Sequence, residues 1–375
     1  MVENKVIIVG GGLAGLTAAL HLRLLGVQVL VLEKQAYPHH KVCGEYVSNE
    51  VFPYLLSLGV CFDDLQIPDI KQLLFSDAGG RSVEVPLPMG GKGISRFAFD
   101  SLLYAKAKKV GVDFVFSAVR SVRFSHGEFV MEDSDGAHHR APMAIGAYGK
   151  RSPLDKDLQR DFVLKKSNWL AIKAHYKQPK FSGEQVGLHC FEGGYGGLSK
   201  TETGAINFCY LTSYGSFKKA DNIQDFNRKR VSQNPYLRSF LETAEPLFDH
   251  PLGIAQVSFE RKEAVEGHMI MCGDSAGLIH PLCGNGMAMA VHAAKLASEH
   301  IGRFFNEKGY GRTRMENDYK RQWKSHFKRR LYMGRRLQSV LLHPLSARFA
   351  MATVARSPLL LQKLIGMTHG KPLIP

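Results

Sequence analysis

Three glycines, Gly10, Gly12 and Gly15, and one acid, Glu33, have the spacing of a dinucleotide site. The glycines complete a G-x-G-x-x-G turn directly after Lys5-Val6-Ile7-Ile8-Val9, an apolar run rich in β-branched residues, and before a helix-like stretch from Leu16 to Leu25. Their missing side chains permit a tight turn, close approach of backbone to a pyrophosphate, and close packing of helix on strand. The helix N-terminus then offers free N–H groups to the phosphates. Val27 to Leu32, after a helix stop at Gly26, reads as a second buried strand. It ends on Glu33, whose carboxylate can accept hydrogen bonds from both ribose hydroxyls. A 2′-phosphate would meet a like charge there, so the site suits FAD or NAD over NADP, and these residues alone do not separate the two.

Other chemistry-bearing residues are scattered. Met269-Ile270-Met271-Cys272 is a short apolar strand running into Gly273-Asp274-Ser275-Ala276-Gly277, with Pro281, Gly284-Asn285-Gly286-Met287 and a helix from about Ala288 to Phe305 beyond it. By itself Asp274 could be a plain helix N-cap. His280 beside Pro281 is either a pocket residue or a loop histidine, and His39-His40 and His138-His139 lie in polar stretches that read as surface. The six cysteines form no C-x-x-C pair and no zinc-ligand spacing, as expected of a reduced protein without a metal site. No Ser/His/Asp constellation is legible.

The elements that must position these groups follow from pattern. Asp133-Ser134-Asp135-Gly136 reads as a hairpin turn. The runs Gln72 to Ser76, Phe114 to Phe116, Leu170 to His175, Gly187 to Phe191 and Ala205 to Leu211 suggest a β-rich region interleaved with the nucleotide domain. Lys218 to Ser239 is polar and reads as helix interrupted by Pro235. The chain has 375 residues, 45% hydrophobic and 22% charged, which excludes a disordered or polytopic membrane protein. No secretory signal and no apolar run long enough to span a bilayer is evident.

Four collinear stretches carry a family resemblance. The Gly273-Asp274 to Met287 segment resembles the G-D-x-A...P...G-x-G stretch of FAD-dependent aromatic hydroxylases. Pro38-His39-His40-Lys41-Val42-Cys43-Gly44-Glu45 is similar to the P-x-x-K-x-C-G-[GE] segment of the geranylgeranyl reductase branch, which includes flavin halogenases. Ser95-Arg96-Phe97-Ala98-Phe99-Asp100 resembles the family's Arg-containing helix start near the flavin diphosphate, and Gly146-Ala147-Tyr148-Gly149-Lys150-Arg151-Ser152 its G-A-D-G-x-x-S motif, with Tyr148 in place of the Asp. The resemblance implies FAD. Asp274 would hold the ribityl chain, Pro281, Gly284, Asn285, Gly286 and Met287 would face the isoalloxazine, Arg96 would lie near the diphosphate, and Lys41 would join the cofactor site. Leu13, Ala14, Lys34, Val119 and Gly273 complete the implied FAD set. A helix N-terminus suits the negative charge that a reduced flavin carries near N1 and O2. Cys43 is implied over the flavin, though a small residue packing a turn is the plain alternative.

The implied fold is α/β: a Rossmann-like, para-hydroxybenzoate-hydroxylase-like FAD domain (1–75, 95–165 and 250–305), an interleaved β-sheet substrate domain (76–94 and 166–249) and C-terminal helices (306–375). The prenyl reductases' aromatic Y-x-W-x-F-P-K segment reads here Tyr195-Gly196-Gly197-Leu198-Ser199-Lys200, and the halogenase W-x-W-x-I-P segment is missing. What remains is, first, a monooxygenase acting on a hydrophobic aromatic or polyketide-like substrate through a flavin C4a-hydroperoxide, with Cys43, Tyr195 and His280 as candidate catalytic residues. Reduction of isoprenoid double bonds and electron transfer to a partner are the alternatives. With one dinucleotide fingerprint, NAD(P)H as reductant would bind transiently at the shared cleft or be replaced by an external reductase.

Twelve of the 49 lysines and arginines, and none of the 34 acids, fall between Tyr319 and Pro375. Trp323, Phe327, Leu331, Leu337 and Leu341 recur there at near-helical spacing, and two more apolar, basic stretches follow, Ala347 to Arg356 and Leu359 to Met367. The pattern fits a helix that covers the substrate pocket, meets an anionic membrane, or docks an acidic carrier protein. No nucleic-acid-binding motif accompanies the charge. The expected location is the cytoplasm, with a peripheral position at the inner face of the membrane open.

Overall fold

The computed structural model describes residues 4–374. Lys5–Val9, four of its five residues buried, is a central strand of a six-stranded sheet in the order 265–266, 269–271, 143–146, 5–9, 28–32, 113–115, parallel apart from the first strand. A parallel sheet is covered on both faces, hence the unbroken apolar runs in its strands. The helix Leu13–Leu24 packs against Gly286–Asn306 and Arg96–Lys109. Two glycines make the first turn possible. Gly10 has φ +101°, and a Cβ on Gly15 would stand 1.9 Å from the Gly10 carbonyl oxygen, so the helix rides directly on the strand end.

The second sheet runs 245–246, 169–177, 206–213, 194–200, 185–191, 69–76, 82–93, 46–48, with 252–255 also paired to 169–177. Its two faces are sorted by the period-2 alternation of strands. Ile172, Ala174, Tyr176, Phe208 and Tyr210 point to one face and are sealed by Phe226, Leu237 and Phe240 from the helices Ile223–Lys229 and Pro235–Thr243. Leu73, Phe75, Ala171, Tyr195 and Leu211 point to the other, where they meet Leu278, Met351 and Val354. A third sheet, 119–125, 128–133 and 138–141, contains the expected hairpin, with Asp133 Oδ1 accepting from the amides of Asp135 and Ala137.

Several sequence expectations are corrected. The strand Asp69–Ser76 belongs to the second sheet, so the boundary at 75 falls inside a strand whose Leu73 and Phe75 alternate onto its inner face; Tyr46–Ser48 and Leu252–Ala255 join the same sheet. Phe114 lies in Asp113–Val115, the outer strand of the parallel sheet and not of the β-rich region. Pro235 does not interrupt a helix but opens one, where its missing N–H costs nothing, and Asn234 Oδ1 caps it by accepting from the amides of Tyr236 and Leu237.

The basic segment forms three helices, Arg312–Leu342, Pro344–Arg356 and Pro358–Thr368. The first packs through Tyr319, Trp323, Phe327 and Leu331, and the Tyr319 hydroxyl donates to the Met271 carbonyl at 2.6 Å. Among the described residues no helix is long and apolar enough to cross a membrane.

Candidate functional site

The inner face of the second sheet, the turn after Val9 and the three C-terminal helices enclose one cavity of about 330 Å³. Gly12, Leu13, Ala14 and Arg96 line it from the nucleotide side, and Leu361, Ile365 and Thr368 from the last helix. Between them the wall is mostly aliphatic, and Gly273, Asp274, Pro281, Gly284, Asn285, Gly286 and Met287 form one side.

At the glycine turn the donors converge. The helix Leu13–Leu24 has no side-chain cap, so its first N–H groups are free toward the cavity. A Cβ built on Gly12 would face Arg96 Nη2 at 3.4 Å and Lys41 Nζ at 3.8 Å, so two cations bracket the space where phosphates would lie. Both cations are fixed by the buried Asp100: Arg96 binds it bidentately with both contacts at 2.7 Å, and Lys41 at 3.0 Å. Burial alone would raise the Asp100 carboxyl, but Arg96 and Lys41 overcome it and hold it below the ordinary range. Glu33 is buried at the end of its strand, where Oε2 accepts from the Gly11 amide at 2.7 Å.

Asp274 lies in the cavity wall within a short 3₁₀ turn that it does not cap. The turn is held by its backbone: Lys262 Nζ donates to the Asp274 carbonyl at 2.8 Å, and Arg160 Nη2 to the Ser275 carbonyl at 2.9 Å. Among the described residues the Asp274 carboxylate itself accepts no hydrogen bond, which leaves it for a ligand. Tyr148, where the family motif has Asp, donates to Asp155 at 3.0 Å and accepts from Arg160 at 3.1 Å, so it anchors this same turn. Further along, the helix Gly286–Asn306 also starts without a side-chain cap, and the Oδ1 atom of fully buried Asn285 has no partner. Two uncapped helix N-termini, bracketing cations, an unengaged aspartate and an orphaned amide oxygen fit FAD laid along the cavity.

The three candidate catalytic residues fare differently. Half-buried Cys43 lines the cavity, and its carbonyl accepts from Asn207 Nδ2 at 3.2 Å. Tyr195 also lines it, but its hydroxyl accepts from the Leu282 amide at 3.3 Å, and burial keeps the phenol protonated far above its usual range; it positions the Pro281–Cys283 turn. His280 is turned away from the cavity lining: its ring stacks on Phe259 at 3.7 Å, and burial, aided by Arg335, lowers it to about 3, so it is a neutral packing group. Lys34 is exposed on the surface, and Val119 begins a strand of the third sheet; neither lines the cavity.

Sequence reasoning missed a buried charged cluster beside Cys43. Glu45 Oε1 meets Lys173 Nζ at 2.5 Å and accepts from the Arg96 amide at 2.7 Å; its Oε2 meets His175 Nε2 at 2.7 Å. Burial pushes the Glu45 carboxyl up, and His175 and Lys173 outweigh it, leaving the carboxyl below its ordinary range. A signal existed: within Trp169–Lys177 the alternation puts Ala171, Lys173 and His175 on the inner face, an unusual place for two polar residues. His40 lies near enough for donor atoms of His40, Glu45 and His175 to fall within 4.8 Å of one another, but the Lys173 ammonium already holds Glu45.

Comparison with known proteins agrees with this geometry. A family model described as "FAD binding domain" matches residues 3–314. Conditioned medium factor receptor 1 of Dictyostelium discoideum is 22% identical over 80% of this chain; the chain spans only 63% of that protein's length. Menaquinone reductase of Mycobacterium tuberculosis is 22% identical over 78% of this chain and 75% of its own. Among solved structures, the flavin-dependent brominase Bmp2 superposes with a TM-score of 0.78 at 19% identity, covering 97% of this chain and 92% of its own, a likeness of fold. The glycine turn, the free Asp274 and the matched span lead to one conclusion: the chain belongs to the FAD binding domain family of flavin-dependent oxidoreductases.

Proposed function

We propose that this flavoenzyme is a monooxygenase that hydroxylates an aromatic ring carrying a long apolar tail. The observation that carries the reading is the shape of the cavity wall at Gly197. On the strand Gly194–Lys200, Tyr195 and Gly197 face inward, and Gly197 stands opposite Leu188 on one side and Cys209 on the other. A Cβ there would meet nothing closer than 3.8 Å, so the glycine leaves room for a flat ring where the prenyl reductases' pattern has a bulky residue. Beyond it, Leu337, Leu341, Val354, Leu361 and Ile365 continue an apolar channel suited to a tail.

Bound FAD, reduced by NAD(P)H, supplies two electrons and the activation of dioxygen; one oxygen atom enters the ring and the other leaves as water. The protein's part is placement. With FAD bound, the Leu13–Leu24 helix N-terminus, Arg96 and Lys41 would hold the diphosphate, Glu33 the adenosine ribose, and Asp274 the ribityl hydroxyls. The aliphatic wall excludes water, which an oxygen-activating site requires. Incubating the protein with FAD, NADPH, 4-dodecylphenol and ¹⁸O-labelled dioxygen tests the reading, with one labelled oxygen expected in the product. The second reading, reduction of an isoprenoid double bond, draws on the menaquinone reductase relative. Saturation of a menaquinone side chain under anaerobic conditions, with no oxygen incorporated into the phenol, would replace the first reading with the second.

A further inference from the structure

We propose that the outer face of the last two helices docks the protein on an anionic lipid surface. Five large apolar side chains among the described residues are more than two-thirds exposed: three lie on these helices, Leu345 at 72%, Phe349 at 77% and Leu359 at 68%, and a fourth, Ile374 at 77%, on the tail that follows them. Elsewhere only Leu164 is as open. Single exposed leucines are ordinary on a soluble protein, but four within thirty residues mark an interaction surface.

The same stretch is cationic throughout. Arg348, Arg356, Lys363 and Lys371 are exposed, and no acid follows Asp318 to neutralise them. Leu345 and Phe349, four residues apart, share one helix face with Arg348 beside them. That mixture distinguishes a lipid surface from an acidic protein. Leucine and phenylalanine enter the acyl boundary while long cationic side chains reach the headgroup phosphates, whereas a purely ionic partner needs no exposed apolar anchors.

The inward side of these helices is apolar as well. Val354, Leu361 and Ile365 line the cavity, so both helices present apolar residues on two sides, a pattern of helices sealed between a core and a second apolar phase. At 13 and 11 residues they are too short to span a bilayer and suited to lie in its plane. The helices that carry exposed Leu345, Phe349 and Leu359 also line the cavity with Ala350, Val354, Leu361 and Ile365, so a single helix layer separates the cavity from the docked surface. A tailed substrate would then pass directly from lipid to cavity, a corollary that rests on the function proposed above; the docking itself does not.

Co-sedimentation of the full chain with vesicles tests the docking without reference to the reaction. The probes are phosphatidylcholine vesicles and the same vesicles with about one-third phosphatidylglycerol, in roughly 0.1 M salt. The protein should partition onto the anionic vesicles and stay in solution with the neutral ones. Two double variants, L345S/F349S and R348E/R356E, should each lower partition about tenfold or more, with bound flavin unchanged. None of the four residues lines the cavity; if a double variant loses flavin, F349S is read in its place. Equal partition onto both vesicles, partition by both variants as by the parent chain, or binding to an acidic acyl carrier protein with none to vesicles would each overturn the proposal.

Discussion

Glu45 and Lys173 meet 2.5 Å apart with neither side chain exposed, one on the loop that follows the second strand of the parallel sheet and the other on a strand of the second sheet. The ion pair therefore ties the loop after the parallel sheet's second strand to the second sheet. Breaking one partner strands a charge in the interior. Lys173→Met should cost about 3–5 kcal/mol of stability in urea unfolding, and the double variant Glu45→Gln, Lys173→Met should recover much of it. A single variant that unfolds with the parent chain would mean the pair contributes nothing.

Asp274→Ala removes the unengaged carboxylate from the cavity wall and leaves the backbone anchors from Lys262 and Arg160 in place. Loss of one charge-assisted hydrogen bond should weaken FAD binding roughly ten- to a hundredfold by flavin fluorescence titration. Unchanged affinity would remove Asp274 from the site.

Gly197→Phe fills the space left beside Cys209 with an aromatic ring. Since the Cβ is accommodated, flavin content should stay near that of the parent chain while turnover of the tailed phenol falls at least about tenfold. Equal turnover would place the ring elsewhere.

Glu50 ties the chain's far end to its beginning. Its side chain accepts from Arg330 at 3.4 Å and from the Gly370 amide, and its carbonyl accepts from the Leu373 amide at 2.7 Å. Glu50→Ala strands the buried Arg330 guanidinium and should cost about 2–4 kcal/mol. Limited proteolysis should then cut first within the last two helices, and a cleavage pattern like the parent chain's would show that the tie is dispensable.

Acid should destabilise the fold through its buried imidazoles. Burial lowers His189 from 6.5 to about 4, and His280 and His292 to about 3. As pH falls below 6.5, the unfolded chain binds protons at these positions and the folded one does not, so stability declines with acidification until the folded values are reached. Glu45 adds to the loss at still lower pH, because its folded value is depressed. The melting temperature should fall from about pH 7.5 to about pH 5, and His280→Phe should reduce that slope. A flat profile across this range would contradict the burial of these imidazoles.

The nucleotide half was legible because each of its signals is local. Lys5–Val9, the three glycines and Glu33 fall within thirty residues, and backbone sterics assign each its place. Asp274 was legible only through resemblance, since a lone aspartate after a strand has several local explanations. His280 misled because adjacency to Pro281 says nothing of rotamer, and the Phe259 ring that captures it comes from a distant loop. Glu45, Lys173 and His175 stayed hidden for the same reason: their partners lie about 130 residues apart, and only the sheet brings them together. The run Gln72 to Ser76 was legible as part of the β-rich region, but the domain bound at 75 cut through its strand, because an alternating pattern fixes a strand without fixing where the domain begins.

The order of strands in the parallel sheet also bears on how the chain reaches its native state. Val6 pairs with Val29 almost at once, but its other edge waits for Met143, and Ile145 in turn waits for Ile270. Contacts of such high sequence separation carry a large loop-closure cost before they return any stability, so folding should be slow and limited by topology. During synthesis, the half-built sheet would expose an unpaired edge until the later strands leave the ribosome, the interval in which this chain is most open to aggregation and most dependent on chaperones.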